Sequence, residues 1–220
     1  MTQENLPAVP ETSAQRARYD RVLAVATEIL SAGGQEAVQM KALAQGAEVS
    51  LATLYRYFPS KEYVLLAVAL ARYQAAARLV ATETPRGDTV QARVAAHMRR
   101  EFRAQQRNRP LTAALTGALT GGGRSYSSII EATEHIHRQL VRHVAAAGGQ
   151  LTEQQDKLLT VVLDICAAAT RRWLAGSRAY CDADVEAQID IACQLLELPD
   201  EVVDEELERV APDAALSPVS

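Results

Sequence analysis

Residues 40–61 read MKALAQGAEVSLATLYRYFPSK, and this stretch decides the fold. Met40, Leu43, Ala44, Val49, Leu54 and Phe58 are its apolar positions. Their spacing fits two short helices, about 40–47 and 51–57, around a tight turn. Ala44 is small where the two helices must approach closely, and Val49 plugs the turn. Ser50 stands where its hydroxyl caps the second helix, leaving the positive end of that helix pointed outward toward phosphate. The second helix then shows Ser50, Leu51, Ala52, Thr53, Tyr55, Arg56 and Tyr57 on or near its outer surface. Small and medium side chains there let a helix enter a DNA major groove about 12 Å wide, where methyls and hydroxyls meet base edges. Tyr55, Tyr57 and Lys61 suit phosphate contact, which positions a helix without specifying sequence.

Working outward, Pro59-Ser60-Lys61-Glu62 reads as a stop followed by a new start. Ser60 caps a long helix that runs to about Thr82, with Val64, Leu65, Val68, Ala71 and Leu79 on its apolar side. Upstream, residues 1–13 carry Pro7 and Pro10 in a polar stretch and are expected to be a disordered arm. The first helix starts near Ser13, whose hydroxyl can cap it, and ends at Gly33-Gly34. Its stripe is Val22, Leu23, Ala26, Ile29 and Leu30. Downstream breaks at 84–88, 108–110, 121–123, 148–149 and 180–182 delimit helices at about 89–107, 110–121, 125–147, 152–178 and 182–197. The expectation is an all-α chain of about nine helices. It divides into a helix-turn-helix head at 14–61, a helical body at 62–198, and an acidic, flexible tail at 199–220.

Composition agrees. Aromatic residues make up only 5% of the chain, alanine is abundant, and alternating β-branched runs are hard to find. A net charge of −4 argues against indiscriminate coating of nucleic acid. It leaves room for one local DNA-binding face. The charge is uneven: residues 14–61 carry six basic and four acidic side chains, whereas 197–220 carry eight acidic ones and Arg209 alone. The three cysteines, Cys166, Cys181 and Cys193, lack CxxC spacing and read as ordinary thiols of a reducing cytosol. The N-terminal residues lack an apolar signal core, and no continuous apolar run has the length of a membrane span, so a cytoplasmic location is expected.

Chemistry beyond binding finds little support. Glu134-x-x-His137 has the spacing used in di-iron helical bundles, but no second such motif exists, and His135 and His137 point in different directions. With Glu131 they read as helix-surface or pocket-edge groups. No Ser-His-Asp, Cys-His or glycine-rich phosphate arrangement stands out, so neither an enzyme nor a cofactor or metal site is expected.

The pattern Leu43-Ala44…Val49-Ser50…Thr53-Leu54-Tyr55-Arg56-Tyr57-Phe58-Pro59-Ser60-Lys61-Glu62 resembles the signature of TetR-family regulators. The body is similar to the KstR-type regulators of sterol catabolism within that family. The similar stretches are 34–40, 52–61, 106–114 and the pattern from Val162 to Trp173. The resemblance implies a homodimeric repressor with an N-terminal DNA reader and a C-terminal domain for ligand and dimer. It implies phosphate contacts from Gln39 and Lys41, where the first reader helix opens. Arg16, Arg18 and Arg21 form a basic start to the helix before it. Two departures stand out: Glu48 occupies a turn position where relatives often have glycine, and Leu51-Ala52 replaces a common Lys-Gly.

For the body, the larger side chains Met98, Phe102, Leu115, Leu119, Tyr126, Ile129, Leu163, Cys166 and Trp173 are the candidates for a small apolar effector, steroid or acyl-CoA-like. Arg99, Arg100 and Arg103 run along one helix and could receive an anionic group. The last two helices, about 152–178 and 182–197, are apolar on more than one side. Pairing with a second copy would bury the surplus. The alternative reading is an all-α ligand carrier or metal-binding bundle whose hairpin only resembles a DNA reader.

Overall fold

Isolated helices shorter than about twelve residues are marginal in water, so the two short reader helices need partners to exist at all. The computed structural model describes residues 9–198 apart from 122 and 177–179. The regular elements among the described residues are all helical. In order they are α1 (Ser13–Gly33), α2 (Met40–Gly46), α3 (Leu51–Tyr57), α4 (Lys61–Val80), α5 (Val90–Arg107), α6 (Arg109–Gly121), α7 (Ser127–Ala146), α8 (Glu153–Leu174) and α9 (Asp182–Gln194). Tight 3-10 turns follow or precede them at Gln35–Ala37, Arg124–Tyr126 and Leu195–Glu197. The expected arm at 1–13 is described only from residue 9, and the expected tail at 199–220 lies outside the described residues.

Several ends differ from the sequence expectation for local reasons. Thr12, not Ser13, caps α1. Its hydroxyl accepts the Gln15 N–H at 3.2 Å, and Gln15 Oε1 accepts the Thr12 N–H at 3.1 Å. A cap at Ser13 would place Arg16 at the third helical position, which has no acceptor to complete that reciprocal box. Helix α8 stops at Leu174 rather than 178, because Gly176 takes a left-handed backbone with φ of 73°. Leu79, expected on the apolar side of α4, is 59% exposed, and Val80 is buried instead.

The chain forms two compact units. The first takes residues 9–82 and Glu101–Leu140. Here α1 packs against α2, α4 and α6, and α4 packs against α6. Leu30, Leu43, Leu54, Phe58, Val64, Leu65 and Leu111 make one continuous core. The reader helices therefore share a core with α4 and α6, and the compact units do not part at residue 61. By length and composition α4 is apolar enough to cross a membrane, yet Val64 to Ala69 are all buried, and all of them but Leu66 belong to this core.

The second unit takes Glu83–Arg100 and the described residues from 141 onward. Helix α8 packs along α9, burying Leu159, Val162, Cys166 and Trp173 on one and Val185, Ile189 and Cys193 on the other. The Trp173 indole N–H donates to Asp182 Oδ1 at 2.6 Å, which fixes the start of α9. Arg93 donates twice to the Ala145 carbonyl, at 3.0 and 2.7 Å, and so ties α5 to the end of α7.

The turn between α2 and α3 answers the question raised by Glu48. Its φ is 54°, in the left-handed region. The Glu48 N–H donates to the Gln45 carbonyl at 3.1 Å and the Val49 N–H to the Ala44 carbonyl at 3.0 Å. This is the paired closure that usually ends a helix on glycine. A side chain in that conformation costs about 1 kcal/mol. Glu48→Gly is expected to raise the thermal midpoint by the equivalent of about 0.5–1 kcal/mol. A lowered midpoint would show that the Glu48 side chain contributes more than its backbone strain costs.

Candidate nucleic-acid interface

The site is built on α2, the turn and α3, all within the first unit. Leu43, Ala44 and Leu54 are buried against the core, which fixes which faces of the two helices point outward. Ser50 Oγ accepts the Thr53 N–H at 3.1 Å and lies 2.8 Å from the Thr53 hydroxyl. The expected cap is present. It also satisfies one of the α3 donors that would otherwise face a phosphate.

Ser50, Leu51, Ala52, Tyr55 and Arg56 are exposed, and Thr53 is half-buried. Leu51 and Tyr55 keep 42% and 44% of their surface, although large apolar side chains on a domain this size are mostly covered. A row of this kind on a short helix is a surface that some partner is expected to cover. Gln39, the residue before α2, uses no side-chain cap bond and is exposed, as is Lys41. Lys61 is half-buried, with Nζ 3.5 Å from the Gln35 carbonyl oxygen.

Tyr57 corrects the sequence expectation. It is 3% exposed and belongs to the core, not to the outer face. Its ring meets Tyr19 edge-on at 5.8 Å, and Tyr19 stacks on Phe58 at 4.8 Å. Arg56 lies over the Tyr57 ring, with its guanidinium 5.0 Å from the centroid, and donates to the Tyr57 hydroxyl at 3.2 Å. The outer face therefore ends at Arg56. Tyr19 was missed by sequence reasoning although it lies three residues before Val22 on the same helical stripe. Burial pushes its hydroxyl pKa up, with Arg16 pulling the other way. Arg21, read only as part of a basic run, donates to the Ala47 carbonyl at 3.4 Å and braces the turn.

The candidate effector side chains do not gather in one unit. Phe102, Leu115, Leu119, Tyr126 and Ile129 lie in the first, and Met98, Leu163, Cys166 and Trp173 in the second. Leu115, Leu119 and Ile129 pack on the core that holds α1 and α4. Tyr126 meets Tyr63 edge-on at 5.1 Å, and its hydroxyl lies 3.2 Å from Ser60 Oγ, the cap of α4. Arg99 and Arg100 are already paired, with Asp190 at 2.5 Å and Glu83 at 2.6 Å. Of the histidine pair, His135 is exposed beside exposed Glu131 and Glu134. The His137 imidazole instead contacts Glu101 at 3.2 Å. No cluster of three metal-ligating side chains occurs among the described residues.

A buried-backed, seven-residue α3 that exposes Ser50, Leu51, Ala52, Tyr55 and Arg56 after a tight turn is the geometry of a helix-turn-helix DNA-binding protein. Comparison with known proteins places the chain within that class. Residues 22–68 match the family of bacterial regulatory proteins, tetR family, and residues 87–196 match the Tetracyclin repressor-like, C-terminal domain. The chain belongs to the TetR family. It is 34% identical over 185 residues to the HTH-type transcriptional repressor KstR of Mycobacterium tuberculosis H37Rv, covering 84% of this chain and 83% of that one. Against KstR of Mycolicibacterium smegmatis the identity is 33%, over 84% and 89% of the two chains. A crystal structure of a TetR transcriptional regulator from Rhodococcus sp. RHA1 superposes with a TM-score of 0.73 at 28% identity, covering 84% of this chain and 97% of that one.

The two tyrosines of α3 are expected to separate cleanly. Tyr57→Ala removes a buried ring and is expected to cost about 3–5 kcal/mol in chemical denaturation. Tyr55→Ala is expected to change stability by no more than about 0.5 kcal/mol while weakening DNA binding. Equal effects of the two on stability would contradict the burial pattern.

Proposed function

We propose that the chain is a ligand-responsive transcriptional repressor that acts as a homodimer on a palindromic operator and is released by a small apolar effector. The observation that carries this reading is α3. Its Leu54 and Tyr57 are buried while Ser50, Leu51, Ala52, Tyr55 and Arg56 are exposed, in a chain of the TetR family. Ser50, Leu51, Ala52 and Thr53 are proposed to meet base edges, with Gln39, Lys41, Tyr55, Arg56 and Lys61 on the backbone. Relatives named transcriptional repressors support the direction of control. The resemblance of the body to KstR-type regulators of sterol catabolism supports an effector of steroid or acyl-CoA-like character. A cytoplasmic location follows from the proposed target, the cell's own DNA.

The proposed dimer surface lies on α8 and α9. Within the second unit Val161 and Ile191 are 45% and 64% exposed on helices whose other faces are already buried. A two-fold axis through such helices would set two heads on half-sites in successive major grooves. An effector that binds the state with the wrong head spacing more tightly would shift the population off DNA.

The test uses the full chain with genomic fragments that it selects. Binding should weaken steeply with salt, and Lys61→Ala should reduce the log–log salt slope by about one. Ile191→Glu should convert a sedimenting dimer to monomer and weaken operator binding with it. A salt-independent interaction, or a wild-type chain that sediments as a monomer and still holds a palindrome, would contradict the reading.

A further inference from the structure

What α3 can offer to base edges depends on which of its polar groups are already engaged. Its sequence, LATLYRY, holds no asparagine, glutamine, aspartate or glutamate. The amide pair that reads adenine and the carboxylate that reads cytosine are therefore missing from it. Its guanidinium, Arg56, stands in the last turn and is held against the domain. It lies 5.0 Å from the centroid of the Tyr57 ring and donates to the Tyr57 hydroxyl at 3.2 Å, and Tyr57 is buried. A guanidinium fork reads guanine when it stands at the end of the helix that enters the groove, and Arg56 stands at the other end.

The first turn of α3 keeps two hydroxyls, and they are turned to each other. Ser50 Oγ accepts the Thr53 N–H at 3.1 Å and lies 2.8 Å from the Thr53 hydroxyl, so the pair keeps a single O–H for anything outside. A hydroxyl donates or accepts as its surroundings ask, and so it separates one base pair from another poorly. The rest of the exposed first turn is hydrocarbon. Leu51 keeps 42% of its surface, and Ala52 beside it is exposed.

Base-edge chemistry narrows what such a turn takes. In a helix-turn-helix the N-terminal residues of the second helix are those that meet base edges. The major groove shows them donors and acceptors at every base pair, but a methyl group only at C5 of thymine. Leu51 against that methyl removes apolar surface from water on both sides. Leu51 against guanine O6 or the amino group of cytosine would strip water from a polar atom and give it no partner, which is unfavourable. The same side chain thus favours thymine and disfavours its alternatives.

We infer that Leu51 and Ala52 are the specificity-determining residues of the reader, and that they select the half-site by contact with thymine C5 methyl groups. The inference rests on the reading of the chain as an operator-binding regulator and names the bases that its reader takes. Sequence is then read chiefly through hydrocarbon. Gln39, Lys41, Tyr55, Arg56 and Lys61 hold the phosphate backbone, which sets affinity and register without choosing bases. Discrimination of this kind is insensitive to salt, whereas the backbone contacts that accompany it are not.

The test selects duplexes from a random-sequence pool with the full chain, then resynthesises the selected duplex with deoxyuridine in place of one thymine at a time. This removes the methyl and leaves pairing and every polar edge intact. Wild type should bind about fourfold more weakly at each contacted thymine, the worth of one buried methyl-sized group. Leu51→Ala, an exposed position given the strongest helix former, should keep the thermal midpoint of wild type. It should lose the deoxyuridine effect at the thymine that Leu51 meets and keep the wild-type salt slope. Selected half-sites without thymine, or wild-type binding indifferent to deoxyuridine at every position, overturn the inference, and neither result depends on a variant. A deoxyuridine loss that is the same in Leu51→Ala at every position reports groove shape and overturns the assignment to Leu51. Selection of no duplex at all would sink the regulator reading itself, whereas selection without methyl dependence sinks the thymine reading alone.

Discussion

The stacking of Tyr19 on Phe58, with the Tyr57 ring against its edge, is the contact on which the DNA-reading surface depends. Helices α2 and α3 have seven residues each, too few to persist on backbone hydrogen bonds alone. They are helical because Leu43, Leu54, Tyr57 and Phe58 are buried in a core shared with α1 and α4. The same burial orients them. Once Leu54 and Tyr57 face inward, Ala52, Tyr55 and Arg56 turn outward, and Leu51 lies at the edge of the exposed face. The exposed face is thus a consequence of the packed one. Substitutions in the aromatic cluster would remove the reader by unfolding it, not by altering its contacts.

Much of this was legible because it is local. The caps at Ser50 and Ser60, the stop at Pro59, and the breaks between helices depend on residues within a few positions of one another. Both caps are formed as their spacing indicated. Glu48 in a left-handed turn was readable as a conflict, since only two outcomes were open to it, and the backbone took the strained one. Tyr57 was not legible. Outward and inward positions on a seven-residue helix differ by one residue, and Tyr57 turns inward because Tyr19, thirty-eight positions earlier, supplies a ring to meet it.

The body shows the same division more sharply. Helical periodicity placed α4 through α9 to within a few residues. It could not show that Arg99 and Arg100 are taken up by Asp190 and Glu83. Nor could it show that His137 belongs with Glu101 and Tyr73 and not with Glu134, because the partners sit on other helices. The spacing Glu134-x-x-His137 is a neighbour relation along one helix, and the contact with Glu101 outweighs it. Leu115, Leu119 and Ile129 are used by the core that supports the reader, and Tyr126 secures the foot of α4. The first unit therefore holds both the exposed face of α3 and the half-buried trio of Tyr73, Glu101 and His137, with Ser60 capping α4 at one end and Tyr73 further along.

The central claim is that the chain meets DNA through the face set by α2, the turn and α3. Hydrogen–deuterium exchange of the full chain, with and without a DNA fragment that it selects, tests this most directly. The account predicts slowed exchange in peptides spanning residues 39–61 when DNA is bound. Tight binding with exchange in those peptides unchanged would contradict it.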